Sequence, residues 1–353
     1  MDVVDTADEA AELELPPLVV RKPLEEFLDA HDIGEGRVEV ERIGEGHSNI
    51  TFLVRRGNAR VVLRRPPRPP LPPSAHDVLR EARLLRALEG TPVRVPAVLA
   101  VGEDESVLGV PFYVMEEVSG NVLTSAIPAE LDTPEERRRT SEELVDALVE
   151  LHNVDWQACG LEGYGKPTGY LERQVRRFTG LWEHNKTREL EVVEELGEWL
   201  GQNMPESSEA TIVHGDYRLG NVMLAEGAPA ELVAIFDWEL STIGDPLADV
   251  GYMTVTWVEP DDSQDTMFAQ VGALTRREGF LTRAELIARY EERSGRSMSA
   301  LNWYQALALW KAAVFMEGNY KRFQAGNSDD EYLGLFDRGV PMLAEKAREI
   351  AHS

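Results

Sequence analysis

The N-terminal third of the chain carries short apolar runs of strand length and one helical repeat. The runs that alternate apolar with polar residues, or are apolar throughout, cover residues 38–43, 51–55, 59–64, 98–101 and 112–115. Between the third and fourth runs, residues 75–89 place Val78, Ala82 and Leu85 at helical spacing, and Ser74 is the expected cap. The pattern therefore predicts a five-stranded sheet with one inserted helix, preceded by a short helix over residues 23–30.

The remainder of the chain is predicted to be mainly helical. Thr133 followed by Pro134 predicts a helix start, and the apolar spacing continues to His152. Residues 160–206 and 261–300 read as helical insertions, and further helices follow to the end. Three short apolar runs interrupt this region, at residues 210–213, 222–224 and 232–236. We expect a flexible arm over residues 1–22, a small lobe over 23–117 and a larger lobe over 118–353.

Polar residues beside these last three runs point to a reaction. Asp216 and Asn221 lie in the connection after the first run, and Asp237 directly follows the third. Phosphoryl transfer from a metal-bound nucleotide needs a base that orients the attacking hydroxyl and two oxygen ligands that hold Mg²⁺ against the phosphates. Asp216 suits the first role, and Asn221 and Asp237 suit the second. One such triplet could be a polar turn, but the whole set at this spacing favours catalysis.

These residues resemble the aminoglycoside phosphotransferase-like, or choline-kinase-like, branch of the protein-kinase fold. The stretch at residues 241–250, which contains Asp249, matches a further signature of that family. The resemblance implies an α+β, two-lobed fold with a small antiparallel sheet lobe and a larger, mainly helical lobe. It also implies a kinase that uses ATP and Mg²⁺. By the same resemblance, Asp249 is a buried anchor of the catalytic loop and His214 is a scaffold histidine.

The resemblance further implies a nucleotide site in the small lobe. The turn after the first strand would cover the phosphates with backbone N–H groups, and its small and polar residues are Gly46, Ser48 and Asn49. Met115 would lie beside the adenine. The carbonyl of Glu116 and the amide of Val118 would hydrogen-bond its edge.

The lysine that the family uses to grip the nucleotide phosphates is absent. The chain has no lysine between Lys22 and Lys166, and Arg64 ends the third strand where that lysine is expected. Arginine stays charged and can bind phosphate in a forked geometry. We therefore expect Arg64 to pair with Glu81 of the following helix, with Arg65 as the competing candidate.

Composition narrows the classes of partner. The chain of 353 residues has 36 Lys and Arg against 63 Asp and Glu, a formal net charge of −27. Such acidity argues against a nucleic-acid partner, because binding to phosphate backbones depends on basic patches. The single cysteine, Cys159, excludes an intrachain disulfide and suits a reducing compartment. Without an apolar run of membrane-spanning length or a basic, apolar leader, a cytoplasmic protein is expected.

Similarity beyond the catalytic loop narrows the class of molecule that accepts the phosphate. Residues 163–165, 169–175, 237–244 and 318–323 resemble the kinase domains found at the N-terminus of certain acyl-CoA dehydrogenases. That resemblance implies transfer to the hydroxyl of a hydroxyacyl-CoA such as 4-hydroxyacyl-CoA. The residues expected at the acceptor site are Arg173, Arg176, Arg177 and Glu239. The alternatives are an aminoglycoside acceptor, which acidic walls would attract, and a nucleotide-binding pseudokinase. ATP or GTP as donor, and the oligomeric state, stay open.

Overall fold

The computed structural model describes residues 2–44, 49–68, 77–207, 209–263, 272–326 and 330–353. The chain forms two compact units, Met1–Ser119 and Gly120–Ser353. Their boundary lies close to residue 117, where the hydrophobic pattern predicted the end of the small lobe. In the described part of the chain, no helix is long and apolar enough to span a membrane.

The first unit is built on a five-stranded antiparallel sheet. Its strands and helices are β1 (Val3–Val4), α1 (Ala7–Ala11), β2 (Val19–Val20), α2 (Arg21–Asp29), β3 (Glu39–Ile43), β4 (Ile50–Arg56), β5 (Ala59–Arg65), α3 (Val78–Leu88), β6 (Val98–Gly102) and β7 (Phe112–Glu116). The sheet order is β3-β4-β5-β7-β6. All five predicted strands and both predicted helices are present. Every neighbouring pair in the sheet is antiparallel. Successive side chains of a strand point to opposite faces, and the core contains alternate residues of β4 and β5, namely Ile50, Phe52, Val54, Val61 and Leu63.

The N-terminal residues were wrongly expected to form a flexible arm. Val3 and Val4 pair in parallel with Val19 and Val20, and Leu18 and Val19 are buried in the core of the first unit. The physical reason is the apolar run at residues 18–20, which buries enough surface to offset the entropy of ordering the segment.

Helix α3 begins later than expected. Ser74, the predicted cap, lies outside the described residues. Asp77 caps the helix instead, because its side chain accepts a hydrogen bond from the Arg80 backbone N–H at 3.0 Å. The apolar spacing marked the helix correctly, but the serine and the aspartate are both favourable cap residues, and the sequence did not distinguish them.

The second unit is mainly helical, with two small antiparallel strand pairs. Its elements are α4 (Pro134–His152), α5 (Tyr170–Asn185), α6 (Glu191–Gln202), β8 (Thr211–Val213), β9 (Val222–Leu224), β10 (Leu232–Ile235), β11 (Thr242–Gly244), α7 (Leu247–Thr256), α8 (Arg283–Ser294), α9 (Leu301–Gln324) and α10 (Phe336–Ala351). Strand β8 pairs with β11, and β9 pairs with β10. Thr133 caps α4 as predicted, with Pro134 in its first turn.

Helix α9 runs through the core of the second unit. It packs against α5, α6, α7 and α10, and it buries Trp303, Tyr304 and Trp310. At its contact with α7 the two backbones approach closely, because a Cβ on Gly251 would lie 2.8 Å from the Tyr304 carbonyl carbon. This close packing fixes α7, which carries Asp249 and Tyr252 toward the loop after β8.

Candidate active site

The loop between β8 and β9 contains Asp216 and ends at Asn221. The side-chain amide of Asn221 donates two hydrogen bonds, one to the Asp216 carbonyl oxygen and one to its carboxylate Oδ2, each 2.8 Å long. Tyr252 lies beside the Asp216 carboxylate, and burial, reinforced by the charge of Asp216, raises the pKa of Tyr252 so that its hydroxyl stays protonated. Arg218 Nε lies 3.6 Å from Asp216 Oδ1. The Asp216 carboxylate is therefore held in one orientation.

Asp249 anchors the start of this loop. Its two carboxylate oxygens accept hydrogen bonds from the backbone N–H groups of His214 and Gly215, each 2.7 Å long. The His214 ring then donates through Nε2 to the Phe236 carbonyl oxygen at 2.8 Å and accepts from the Asp216 backbone N–H through Nδ1. Gly215 has φ near +90°, and a Cβ there would lie 2.8 Å from the Leu240 carbonyl oxygen, so the turn requires glycine.

A buried histidine supports Asp249 from the other side. His152 Nε2 lies 3.1 Å from Asp249 Oδ2, and His152 Nδ1 lies 2.7 Å from the Tyr290 hydroxyl. Burial lowers the pKa of His152 despite its carboxylate neighbour, so the ring is neutral and donates to Asp249. Burial alone would raise the pKa of Asp249, but the hydrogen bond from His152 and the nearby imidazoles and backbone N–H groups hold it below its ordinary value. Asp249 is therefore a buried, fully paired carboxylate.

Asn221 and Asp237 lie side by side at the ends of β9 and β10. The Phe236 N–H donates to the Asn221 carbonyl oxygen at 2.9 Å, next to the Ile235–Val222 pair of the strand ladder. Asp237 adopts a left-handed conformation, with φ 65° and ψ 58°. Such a backbone is costly for a residue other than glycine, and it occurs preferentially at functional sites.

The oxygen atoms of this pair fit Mg²⁺. Because the Asn221 amide nitrogen is engaged with Asp216, the orientation of its Oδ1 atom is fixed, and that atom accepts no hydrogen bond from a described residue. Carboxylate and amide oxygens suit Mg²⁺, which takes few protein ligands and completes its shell with water and substrate phosphates. Accordingly, no group of three His, Cys, Asp or Glu side chains that could hold a metal occurs within the described ranges.

Arg64 and Glu81 form an ion pair in the first unit, as expected from the sequence. Arg64 Nε lies 3.0 Å from Glu81 Oε2, and Arg64 Nη1 donates to the Thr51 hydroxyl at 3.3 Å. The buried Asn49 donates to the same Glu81 oxygen at 3.4 Å. Its own Oδ1 is buried without a partner among the described residues. Gly46 and Ser48, the other residues expected at the phosphates, lie outside the described residues.

Arg65, the competing candidate for the phosphate-binding cation, points to the opposite face of the sheet from Arg64. It is 1% exposed and donates to the carbonyl oxygens of Leu18, Leu108 and Pro66. Burial, and then the charge of Arg68, lowers the pKa of Arg65 to about 10. With its guanidinium occupied by core carbonyls, Arg65 supports the first unit and leaves Arg64 on the other face of β5.

The expected adenine contacts lie at the end of β7. Met115 is buried and pairs with Val62 of β5. Glu116 faces β6, where its backbone N–H donates to the Ala97 carbonyl oxygen and its carboxylate accepts from the Ala97 N–H. The Val118 N–H makes no hydrogen bond to any described residue. It therefore has donor capacity left for a ligand.

The four residues expected at the acceptor make different contacts. Arg173 is engaged locally, because its guanidinium donates to the carbonyl oxygens of Lys166 and Thr168. Arg177 instead lies against the Phe178 ring, at 6.0 Å from its centre, and Arg176 is exposed. Glu239 lies in the single helical turn that follows Asp237.

Sequence reasoning missed four side chains of the second unit that bear on the site. Tyr252 and Arg218 contact Asp216, His152 supports Asp249, and Lys311 lies near Arg177. Arg218 is the one with a local signal, since it lies two residues after Asp216. The others lie on helices distant in sequence, where a tyrosine, histidine or lysine has no distinguishing pattern.

Comparison with known proteins identifies the family. Residues 39–296 match the model of the phosphotransferase enzyme family, and the chain belongs to that family. The human protein named acyl-CoA dehydrogenase family member 11 is 32% identical over 338 residues, which cover 94% of this chain and 43% of that protein. The chain thus spans less than half the length of the curated relatives it matches.

Solved structures agree on the fold. A protein of Ralstonia eutropha JMP134, described as a candidate aminoglycoside phosphotransferase, is 33% identical with a TM-score of 0.80, covering 94% of this chain and 98% of its own. Spectinomycin phosphotransferase, solved with ADP and spectinomycin, has a TM-score of 0.62 at 10% identity and covers 94% and 99% of the two chains. The predicted α+β, two-lobed, protein-kinase-like fold and the predicted kinship with acyl-CoA dehydrogenase family members are confirmed.

Proposed function

We propose that this phosphotransferase moves the γ-phosphoryl group of ATP to the hydroxyl of a hydroxyacyl-CoA in the presence of Mg²⁺. The observation that carries the proposal is the arrangement around Asp216. Asn221 donates to its carboxylate and Tyr252 lies beside it, while Asn221 Oδ1 and Asp237 offer oxygen atoms nearby. This arrangement pairs a fixed proton acceptor with a place for the metal that binds the phosphates.

The reaction follows from these positions. The acceptor oxygen attacks the γ-phosphorus, the bond from that phosphorus to the β–γ bridging oxygen breaks, and the hydroxyl proton passes to the Asp216 carboxylate. ADP leaves with the electron pair of the broken bond. Mg²⁺ held by Asn221 and Asp237 would neutralise charge on the phosphate oxygens. Because Arg218 Nε lies 3.6 Å from Asp216 Oδ1, it also places positive charge near the transferred group.

Residues of the first unit would bind the nucleotide. Arg64, held by Glu81, supplies the phosphate-binding cation, and the Val118 N–H supplies a donor for the base. Asn49, with its unpartnered buried Oδ1, and Gly46 and Ser48 belong to the turn proposed to cover the phosphates. The solved relative that contains ADP supports nucleotide binding by this fold.

Two observations favour an acyl-CoA over an aminoglycoside as acceptor. The relatives that share 32% identity over most of this chain are named acyl-CoA dehydrogenase family members. In addition, Leu240, three residues after Asp237, is 59% exposed, which suits an apolar chain better than a polycationic sugar. Chemically, phosphorylation converts a hydroxyl into a good leaving group, so a later elimination step in acyl-CoA oxidation could remove it.

The decisive assay incubates the protein with Mg²⁺, ATP or GTP, and either 4-hydroxyacyl-CoA or kanamycin, and detects the phosphorylated product by mass spectrometry. We expect phosphate on the CoA thioester. Phosphate on kanamycin alone would reject the acyl-CoA acceptor. Phosphate on neither, with nucleotide still bound, would favour a nucleotide-binding pseudokinase.

Substitutions of Asp216 and Asp237 test the roles of these two residues in the same assay. Asp216→Ala should lower kcat about 100-fold or more while nucleotide binding persists, because the lost group acts on the acceptor. Asp237→Ala should instead abolish Mg²⁺-dependent nucleotide binding. Asp261→Asn changes an exposed carboxylate in the second unit and serves as the control. Full activity of either site variant would contradict the assignment.

A further inference from the structure

Two cations of the second unit share one aromatic ring. Lys311 Nζ on α9 lies 4.9 Å from the centre of the Phe178 ring, and the guanidinium carbon of Arg177 on α5 lies 6.0 Å from the same centre. Lys311 is half-buried between apolar neighbours, and Arg177 is exposed. Phe178 in turn packs against Trp310, with ring centres 6.3 Å apart. The core of the unit therefore fixes the ring that holds both cations.

Neither cation has a carboxylate partner among the described residues. In the part of the chain that the structure describes, no Asp or Glu oxygen forms an ion pair with Arg177 or Lys311. Arg188 provides the contrast, since it lies over the Tyr320 ring but also pairs with Glu317 and Asp337, at 3.1 and 2.6 Å. Because 63 residues of this chain are acidic, two neighbouring cations without a carboxylate are unexpected on charge alone.

The pair is electrostatically unfavourable without an anion. Burial, and then the charge of Arg177, lowers the pKa of Lys311 to about 8. Asp249 acts in the opposite direction, but its oxygens are already engaged by the catalytic loop and His152. An anion bound between Arg177 and Lys311 would remove the like-charge repulsion and restore full protonation of the lysine.

Helix α5 connects this pair to the candidate active site. Tyr170, in the first turn of α5, packs against Gly244, where a Cβ would lie 2.6 Å from the tyrosine ring. Gly244 ends the strand that follows Asp237 and the exposed Leu240. Arg177 lies two turns along α5 on the same face as Tyr170. One turn beyond Lys311 on α9, Phe315 is 63% exposed and adds apolar surface.

We propose that Arg177 and Lys311 form a subsite that binds a phosphate group of the CoA portion of the acceptor. The inference rests on the proposed function, because that function supplies the class of acceptor. The 3′-phosphate of CoA is a monoester with more than one negative charge and three acceptor oxygens, so it can compensate both cations together. A single carboxylate would leave part of the positive charge uncompensated. The forked guanidinium and the compact ammonium each bind phosphate oxygens.

The test measures binding of CoA itself, and of pantetheine, which lacks the phosphates and the adenosine, by isothermal titration calorimetry without any turnover. The wild type should bind CoA more tightly than pantetheine. Lys311→Met and Arg177→Gln should each lower CoA affinity about tenfold or more, as expected for a lost charge-assisted contact. The double variant should lose the part of the CoA affinity that the phosphate supplies, so the difference between CoA and pantetheine should become smaller. Both single variants should fold, because Arg177 is exposed and Lys311→Met removes a half-buried charge. Thermal unfolding of each variant tests whether it is folded.

The control is Arg338→Gln, which removes an exposed arginine of α10 and matches the change in net charge. It should leave CoA affinity unchanged. Equal loss in this control would mean that CoA responds only to overall charge, and CoA binding unaffected by Arg177→Gln and Lys311→Met would overturn the subsite. If CoA binds through these residues but no thioester is phosphorylated, the subsite stands and the proposed function fails. If thioesters are phosphorylated by the double variant with an unchanged KM, the subsite fails and the function stands.

Discussion

Replacing Asp249 by asparagine tests whether a buried carboxylate holds the loop that carries Asp216. Asp249 accepts hydrogen bonds from the His214 and Gly215 N–H groups and from His152, which engage both of its oxygens. An asparagine has one oxygen, so its NH₂ group must face at least one of these donors. The variant therefore leaves at least one buried N–H group unsatisfied and weakens the bonds that remain.

The magnitude follows from those contacts. An orphaned buried donor costs about 1–3 kcal/mol, and hydrogen bonds to a charged group contribute about 1.5–3 kcal/mol each. Because neighbouring bonds are not additive, we expect Asp249→Asn to lower the free energy of unfolding by about 3–5 kcal/mol, the range for breaking a buried charged network. Catalytic turnover should fall as well, because the displaced backbone carries Asp216.

Urea denaturation at pH 7, followed by circular dichroism, measures the change against Asp261→Asn, an exposed control expected within about 0.5 kcal/mol of wild type. The pH dependence of this stability difference provides a second test. The pKa of Asp249 is lowered in the folded state, so its contribution is present at neutral pH and is lost as the pH falls below about 4. The difference between wild type and variant should shrink accordingly. A loss below about 1 kcal/mol at pH 7 would refute the anchoring role.

Two further predictions concern stability of the second unit. Gly251→Ala should destabilise it by about 1–3 kcal/mol, because the new Cβ would clash with the backbone of α9. Gly180→Ala should instead stabilise α5 by about 0.5–1 kcal/mol, because nothing lies within 4 Å of the new Cβ. A thermal-unfolding comparison that gave both changes the same sign would contradict the packing argument. Asp146→Asn should cost about 1 kcal/mol at pH 7, because Asp146 accepts from Arg289 and Arg293 of α8 at a partly exposed site. Because the pKa of Asp146 is lowered in the folded state, the cost should become smaller as the pH falls below about 4, which urea titrations at pH 3 and 7 can show.

The contacts within the loop that carries Asp216 could be predicted because their partners are close in sequence. Asp216 and Asn221 lie five residues apart, so one loop conformation is enough to bring them together. Asp237 follows a strand that pairs with the strand after Asn221, and short antiparallel pairs of this kind are predictable from apolar runs. The residue types and their spacing were therefore enough to predict these local contacts.

The supporting residues could not be predicted in the same way. Tyr252 contacts Asp216, and Tyr290 contacts His152, only because packing of α7, α8 and α4 brings distant residues together. Lys311 interrupts an apolar helix, and its sequence position gives no sign that it lies over Phe178. These roles depend on tertiary contacts between helices, for which a periodic pattern gives the buried face but not the partner.

The choice between Arg64 and Arg65 depends on the N-terminal segment whose folding was missed. Adjacent residues of a strand point to opposite faces of a sheet, so one of the two had to face the core. Sequence alone could not say which, because a buried arginine needs acceptors and none was expected there. The structure provides them: Arg65 donates to the carbonyl oxygen of Leu18, which lies just before β2, and to that of Leu108. Residues 18–20 thus bury Arg65 on the core face, and the alternation of β5 leaves Arg64 to pair with Glu81.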